Sequence, residues 1–442
     1  MSGQPVRSGT ALARRHKNGK LSDLSWNYRC LVLDGSFFYV GSSFIESATV
    51  LPSFVSTLTS SPVLIGMVTT VRNAGYLLPQ VFIAGIAQGL SRKKPLLVVG
   101  GLINRLTVLA LALTAGLVTP RHPGAALVVF FVALAMLALS DGVSGVPWTD
   151  ILARSIPPDR RGRLLGTMQC AGGFGAFAAG FIIRELLARP VPGYPGNYAM
   201  VFGCGLVFLS CSLAATCLLR EPPGQASPAS LRAYLQGLPA AFRANPRFRQ
   251  MMFARVLMST YMLSLPFYIV HSRLELGFAP SVVGVFVSAQ MTGNIIGGVL
   301  WGNLADRCGN RRLLQVMSVV QLTVPLYALA SRWLVGTPLA PAGFFLHLLL
   351  FATLGACFGG MWMGFTNYLL DIVDDGTRPT YIGLMNTLSA PLGALPVAGG
   401  VLLRLTSYPA LFLVTALLVA AGVASAWRLP EPRLQVVPPV GA

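Results

Sequence analysis

The stretch Gly302-Asn303-Leu304-Ala305-Asp306-Arg307-Cys308-Gly309-Asn310-Arg311-Arg312 separates two long apolar runs, residues 281–304 and 313–335. Each run has about the 20 residues that an α-helix needs to cross a hydrocarbon layer. The stretch itself holds three arginines and two glycines, which suit a tight turn at a membrane surface. It therefore predicts two membrane-crossing helices joined by a short basic turn.

The composition of the whole chain agrees with a membrane protein. Of its 442 residues, 54% are hydrophobic and 11% are charged, whereas a soluble domain has about 25% charged residues. The net charge of +19 would suggest nucleic-acid binding in a soluble protein, but basic cytoplasmic loops explain it in a membrane protein. We therefore expect an all-α integral membrane protein without a nucleic-acid partner.

Apolar runs of spanning length recur twelve times, and one long polar stretch divides them into six and six. We predict a disordered cytoplasmic tail (1–29), an N-terminal bundle (30–219), a central cytoplasmic linker (220–249), a C-terminal bundle (250–428) and a cytoplasmic tail (429–442). The predicted spans are 30–51, 63–90, 95–118, 125–149, 164–188, 197–219, 250–271, 281–304, 313–335, 341–367, 381–405 and 408–428.

The distribution of Lys and Arg predicts the orientation. With the N-terminus in the cytoplasm, the cytoplasmic segments hold 24 of these cations and the outer loops and helix ends hold 6. Cytoplasmic loops of membrane proteins carry such an excess. We expect a multi-pass protein of the cell membrane with both termini in the cytoplasm.

The two halves resemble each other at a constant offset of 217 residues. Residues 148–152 (Trp-Thr-Asp-Ile-Leu) match 365–369 (Phe-Thr-Asn-Tyr-Leu), and Gly85 matches Gly302. An even number of spans per half keeps both halves in the same topology. The sequence therefore predicts a parallel pseudo-two-fold repeat of two six-helix bundles.

The opening stretch resembles the G-x-L-A-D-R-x-G-R-K-x-x-L signature of the major facilitator superfamily, which lies between helices two and three and between helices eight and nine. The resemblance covers nearly the whole chain and is strongest to a prokaryotic branch of unassigned substrate. It implies a secondary active transporter that moves a small solute by rocking-bundle alternating access. The substrate, the direction and the coupling ion stay open, with protons as one candidate.

The resemblance also implies gating roles. Asp306 is expected to accept hydrogen bonds from the start of a neighbouring helix, and the motif arginines to reach carboxylates. The first-half copy departs from the family, since Gly89 and Leu90 replace its Asp and Arg, so the first-half lock is expected to be weaker. The gating residues implied are Gly302, Asp306, Arg307, Gly309, Arg311, Arg312, Arg161, Asp371 and Arg378.

Ionisable side chains within the spans are the candidates for transport or coupling, because charge at membrane depth is costly unless it is paired or hydrated. Depth along the helices predicts a pair between Glu46 and Arg72, and a structural pair between Arg105 and Asp141. The shallower charges, Asp34 and Arg255, have two readings, a functional role or simple contact with cytoplasmic water. The candidates are Asp34, Glu46, Arg72, Asp141, Arg255 and the titratable His347.

Neutral polar and aromatic residues also cluster within the spans. They predict a cavity lining, and interhelical hydrogen bonding is the alternative for each of them. The candidates are Asn73, Tyr76, Gln80, Gln169, Tyr261, Tyr268, Gln290, Asn294 and Asn386.

Two other classes remain as alternatives to a carrier. A membrane enzyme could hold Mg²⁺ with the cluster Asp371, Asp374 and Asp375, and a channel would need a filter-like loop that the sequence does not offer. No lysine precedes Ser or Thr, as a P-loop requires. We expect a monomer in contact with membrane lipid, not an enzyme, with neither a cofactor nor a metal.

Overall fold

A computed structural model describes residues 8–88, 90–191, 193, 195–222, 242–334, 338, 340–373 and 378–432, and all regular structure within these ranges is helical. The helices form twelve spans, as the sequence predicts. In the first half, span 1 consists of Ser8–Ser43 and Val50–Leu58, span 2 is Pro62–Gln88, span 3 is Lys94–Leu113 with a π-helical turn Thr114–Val118, span 4 is Pro123–Ser155, span 5 is Pro158–Ala188 and span 6 is Tyr198–Cys217.

The second half repeats this order. Span 7 consists of Pro246–Met258, a 3₁₀ turn Ser259–Leu263 and Phe267–Leu274, spans 8 and 9 share Val282–Trp333, span 10 is Ala340–Ile372, span 11 consists of Arg378–Ser389, a 3₁₀ turn Ala390–Ala394 and Leu395–Leu405, and span 12 is Tyr408–Trp427. Nine helices in the described ranges are long and apolar enough to cross a membrane, and one of the nine contains both span 8 and span 9.

The repeat is visible in the helix bounds. Shifted by 217, span 4 (Pro123–Ser155) coincides at both ends with span 10 (Ala340–Ile372). The turn between spans 8 and 9 lies at Gly309, whose φ of 84° is a conformation that favours glycine. This agrees with the tight turn predicted from the motif.

Three predicted boundaries are wrong. Residues 8–29 are helical and not a disordered tail, because their Ala, Leu, Arg and Lys residues favour a helix that continues into span 1. Span 1 does not end at residue 51, but breaks at 44–49 and resumes to Leu58. The C-terminal bundle begins at Pro246, where the Asn245 side chain caps the helix by accepting from the Phe248 N–H. Residues 223–241 of the linker and 433–442 of the tail lie outside the described residues.

We call the side with Trp26, Glu221 and Gly309 the terminal side, and the opposite side the far side. The two bundles meet along spans 2 and 11, spans 5 and 8, and, more locally, spans 1 and 7. Two close approaches define this seam at the far side. A Cβ on Gly66 would lie 2.8 Å from the carbonyl carbon of Pro396, and one on Gly284 would lie 2.8 Å from the Cα of Arg184. The far halves of the bundles are therefore in close backbone contact.

The terminal halves diverge. A Cβ placed on Gly162, Gly166 or Gly302 would meet no atom within 4 Å. These glycines lie near the terminal ends of spans 5 and 8, which contact each other at Gln169 and Gly298 and closer to the far side. The terminal ends of these two spans therefore lack the close backbone packing found at the far side.

Candidate functional site

An ion pair lies at mid-depth in the N-terminal bundle. Arg72 Nη2 of span 2 lies 2.6 Å from Asp141 Oδ2 of span 4. Asn104 Nδ2 of span 3 donates to the other carboxylate oxygen of Asp141 at 2.8 Å. The Asp141 carboxylate thus connects spans 2, 3 and 4. The sequence analysis did not identify Asn104, because it considered the charged neighbour Arg105 as the partner of Asp141.

The predicted pair between Arg105 and Asp141 is wrong. The Arg105 guanidinium turns to span 6, where Nε and Nη2 donate to the Leu209 carbonyl at 2.9 and 2.5 Å. Its Nη2 also donates to Ser212 Oγ at 3.3 Å. Asp141 already forms its ion pair with Arg72, and Arg105 instead connects span 3 to span 6 by hydrogen bonds.

Asp34 does not meet cytoplasmic water, so this reading of its shallow position is wrong. Its side chain is buried and accepts three hydrogen bonds: from Trp148 Nε1 at 2.8 Å, Ser212 Oγ at 2.7 Å and Thr216 Oγ1 at 2.9 Å. Because Ser212 also accepts from Arg105, Asp34 belongs to the same polar network. This network holds spans 1, 3, 4 and 6 together.

Glu46 lies in the break of span 1, at the seam between the bundles. Its carboxylate accepts from the backbone N–H of Ala48 at 3.1 Å, and the Gln290 side chain of span 8 is a near neighbour across the seam. The predicted Glu46–Arg72 ion pair is wrong, since Arg72 pairs with Asp141, although Arg72 stays within electrostatic range of Glu46. Glu46 is therefore a carboxylate with a cross-bundle contact and without an ion-pair partner of its own among the described residues.

Arg255 is the membrane-depth cation of the C-terminal bundle. It is half-buried, and its Nε donates to Ser389 Oγ of span 11 at 2.9 Å. Its guanidinium carbon lies 5.4 Å from the ring centroid of Phe365 of span 10. It forms no ion pair within the described ranges.

His347 lies in the core of the C-terminal bundle and not at the seam. Its ring stacks on that of His271 with centroids 5.7 Å apart, and both side chains are fully buried. Its Nδ1 contacts the Gly343 carbonyl at 3.1 Å. The sequence analysis missed His271, although a histidine in an apolar span was a signal available to it.

The residues predicted to line a cavity fall into two groups, some buried in the protein and others half-buried or exposed. Tyr268 is fully buried and stacks on Phe412, so it does not line a cavity. Tyr261, in the 3₁₀ turn of span 7, and Gln290 of span 8 are buried. The half-buried or exposed positions that remain are Asn73, Tyr76, Gln80, Gln169, Asn294 and Asn386.

Two of these residues lie at the seam itself. A Cβ on Gly393 of span 11 would lie 3.5 Å from Asn73 Cβ of span 2, and one on Gly298 of span 8 would lie 3.7 Å from Gln169 Nε2 of span 5. Tyr76 and Gln80 instead face Gly145 of span 4, within the N-terminal bundle.

The gating motif is open on the terminal side. Gly302 is free of close neighbours, and Asp306 and Arg307 are exposed. The expected contact of a motif arginine with Asp371 is wrong, because Asn310 Nδ2 donates to Asp371 Oδ2 at 2.7 Å instead. The side chain of Arg312 turns to Gln315, and that of Arg378 lies outside the described residues.

Arg161 caps the end of span 4, and its hydrogen bonds within the described residues stay in the first half. Its Nε and Nη2 donate to the carbonyls of Ile156 and Ala153 at 2.9 and 2.6 Å. Cations stabilise the carbonyl end of a helix in this way.

The first-half turn is held by a cluster that the sequence analysis did not identify. The Glu221 carboxylate accepts from the backbone N–H groups of Lys93 and Lys94 at 2.6 and 2.9 Å and pairs with Arg154 at 3.0 Å. Lys93 Nζ lies 2.9 Å from Asp150, which also pairs with Arg154. A glutamate directly after span 6 was the signal available in the sequence.

The acidic cluster of the alternative enzyme hypothesis is only partly described. Asp371 is engaged with Asn310, and Asp374 and Asp375 lie outside the described residues. The observations therefore give no support to a magnesium site there.

Comparisons with known proteins agree with this architecture. The profile of the Major Facilitator Superfamily matches residues 35–275 and 251–441. An uncharacterized protein of Mycobacterium tuberculosis is 25% identical over 315 residues, which is 68% of this chain and 58% of that protein. The chain thus spans about three-fifths of the length of the curated relatives it matches.

Solved structures share the fold at low sequence identity. A crystal structure of a mutant of the nucleoside transporter NupG has a TM-score of 0.71 at 12% identity and covers 91% of this chain and 100% of its own. A crystal structure of a D-xylose-proton symporter has a TM-score of 0.70 at 12% identity and covers 93% and 99%. Because the family profile covers nearly the whole chain, with twelve spans and the turn motif in place, the protein belongs to the Major Facilitator Superfamily.

Proposed function

We propose that this protein is a secondary active transporter that moves a small solute across the cell membrane by rocking of its two bundles, and not an enzyme or a channel. The observation that carries the proposal is the arrangement of the seam. Repeated bundles touch at the far side, diverge at the terminal side and carry polar groups between them. A carrier needs such a site, open to one side at a time.

The proposed orientation places both termini in the cytoplasm. The Lys and Arg excess supports it, because the basic turns lie on the terminal side. In this orientation the conformation is inward-facing. The exposed Asp306 fits the same state, since its lock is expected to form only when the terminal side closes.

Proton coupling is proposed from the charge count in the N-terminal bundle. At membrane depth this bundle holds three carboxylates (Asp34, Glu46 and Asp141) against two guanidinium groups (Arg72 and Arg105). An uncompensated charge is costly there, so one bound proton would make the set neutral. Asp34 accepts three side-chain hydrogen bonds and Asp141 has an ion pair, which leaves Glu46 as the carboxylate that takes the proton.

The position of Glu46 would connect the proton to the conformational change. Its reach to Gln290 crosses the seam, and opening of the far side would separate the two side chains. Protonation therefore alters a contact that exists only in the conformation described here. No other residue of the N-terminal bundle combines an unpaired carboxylate with a cross-bundle contact in the described ranges.

The test is solute counterflow in proteoliposomes, with a solute first found by ligand-induced thermal stabilisation of the purified protein. Saturable exchange without an ion gradient indicates a carrier, and flux that does not saturate would contradict it. Uptake by the wild type should respond to an imposed pH gradient, whereas exchange by Glu46→Gln should persist and lose that response. An unchanged pH response in Glu46→Gln would refute the role of Glu46 but not the carrier.

A further inference from the structure

We propose that Arg255 is the anchor for an anionic group of the transported solute, so that the substrate class is an organic anion. The inference rests on the proposed transport function and deepens it. It starts from the state of the guanidinium. Nε is bonded to Ser389 Oγ, whereas Nη1 and Nη2 have no hydrogen-bond partner among the residues that the structure describes and are not among the buried atoms.

Within the described residues, the charge of Arg255 has no carboxylate as a counter-ion, although the Phe365 ring lies 5.4 Å from its guanidinium carbon. No carboxylate in the described ranges forms an ion pair with it, and the ionisable side chain in electrostatic range is the neutral phenol of Tyr261. Ser389 cannot supply a charge, because its hydroxyl donates to the Met385 carbonyl at 2.7 Å and offers Arg255 a lone pair only. A cation at membrane depth without a counter-ion marks a site for an anion.

Snorkelling toward cytoplasmic water does not explain this geometry. Arg255 lies about 14 Å along span 7 from its start at Pro246, and Ser389 lies about 17 Å along span 11 from Arg378. A helical side chain tilts toward the N-terminus of its helix, which here is the terminal side. The Arg255 side chain instead donates to Ser389, a residue at a similar distance along its own helix.

The backbone around Arg255 is interrupted in two spans at once. The 3₁₀ turn Ser259–Leu263 begins four residues after Arg255, and the 3₁₀ turn Ala390–Ala394 begins directly after Ser389. The second turn packs on span 2 of the opposite bundle, close to Asn73. Discontinuous helices at mid-membrane are where transporters bind their solutes. Arg255 therefore stands beside the seam, with its guanidinium carbon 5.4 Å from the ring centroid of Phe365.

The planar fork of Nη1 and Nη2 matches a carboxylate or a phosphate, which it can bind with two parallel hydrogen bonds. The N-terminal bundle has one negative charge in excess within its spans, and Arg255 gives the C-terminal bundle one positive charge within its spans. A solute anion on Arg255 together with a proton on Glu46 would leave both bundles neutral. A lipophilic cation would neutralise neither Arg255 nor its surroundings.

The experiment screens purified full-length protein by thermal shift against organic carboxylates and phosphate monoesters, each paired with its uncharged amide or alcohol. The charged member should stabilise the wild type more than its uncharged partner. Arg255→Gln should raise the Kd of the best anion at least about tenfold, since a charged hydrogen bond is lost. Arg255→Lys should bind with intermediate affinity, because it keeps the charge without the fork.

Arg404→Gln is the matched control, since Arg404 is exposed at the far end of span 11 and its loss removes the same charge. It should bind as the wild type does. Where Arg255→Gln does not fold, the comparison of Arg255→Lys with the wild type decides. Equal affinity in the Arg255 variants, or stabilisation by no anion above its uncharged partner, would overturn the proposal. Counterflow of a neutral or cationic solute would overturn it too while leaving the transport function intact.

Discussion

The ion pair between Arg72 and Asp141 should be a large single contribution to the stability of the N-terminal bundle. The two side chains are 18% and 10% exposed, with Nη2 and Oδ2 2.6 Å apart. Removing one partner of such a pair leaves an uncompensated charge and costs about 3–5 kcal/mol. At roughly 2–4 °C per kcal/mol, Arg72→Gln should lower the melting temperature by on the order of 10 °C.

A second substitution in the Arg72→Gln background shows whether Asp141 or Glu46 is the ion-pair partner of Arg72. Asp141→Asn added to Arg72→Gln removes the remaining charge, so the double variant should regain most of the loss and retain a deficit of about 1–2 kcal/mol for the missing hydrogen bonds. Glu46→Gln added to Arg72→Gln leaves Asp141 unpaired and should regain little. Glu46 is the right comparison because it is a nearby carboxylate on another span.

The assay is the melting temperature of each variant, followed by fluorescence-detected size-exclusion chromatography of a fusion with a fluorescent protein. Arg404→Gln, exposed at a helix end, serves as the control for loss of a positive charge and should melt within about 1 °C of the wild type. Rescue of Arg72→Gln by Glu46→Gln that equals rescue by Asp141→Asn would refute the pairing. So would an Arg72→Gln protein that melts with the wild type.

Three further outcomes are expected. Gly400→Ala should loosen the contact between the bundles at the far side, because a Cβ there would lie 2.9 Å from the Cα of Val63. In a cysteine-free background, a cysteine placed at Ser53 should then react faster with an impermeant maleimide. An unchanged reaction rate contradicts the seal. Asp306→Asn should fold normally but slow counterflow, since the closed terminal side loses its lock, and wild-type exchange rates would rule that role out. A reporter active only in the cytoplasm should give signal when fused after residue 230 or 442 and none in the loop near Gly193, where a signal would overturn the proposed orientation.

Residue patterns were sufficient for the spans, the repeat and the turn at Gly309, because apolar length, offset and glycine placement are properties of the chain alone. They failed for the charge pairs because depth along an axis is one coordinate of three. Arg72 and Asp141 lie at about 24 and 21 Å from the terminal ends of their spans, so depth allowed this pair as well. Which face each helix turns to its neighbour decided between the partners.

The break in span 1 shows a second limit. Glu46 was placed by counting from residue 51, where the apolar run meets Pro52, but the chain resumes as a helix to Leu58. Proline is tolerated in the first turn of a helix, so it did not end the span. The depth of Glu46 shifted with that boundary, and with it the reason to pair Glu46 with Arg72.

The two halves use equivalent positions differently, and this asymmetry explains why the motif survives in only one of them. At the offset of 217, Lys93 corresponds to Asn310 and Arg154 to Asp371. In the first half, Lys93 and Arg154 both form ion pairs with Asp150, and Glu221 forms an ion pair with Arg154. The whole cluster therefore lies within one bundle. Such a turn moves with its own bundle and needs no partner across the seam.

In the second half, Asn310 donates to Asp371 and fixes the turn by a single neutral-to-charged hydrogen bond. That contact leaves Asp306 on the exposed surface, and in the proposed lock Asp306 would reach a helix start of the opposite bundle once the terminal side closes. A lock between bundles has to be free in one state and engaged in the other. The carboxylate of the intact motif meets that condition, whereas the first-half turn, with Gly89 in its place and its cations already paired, does not.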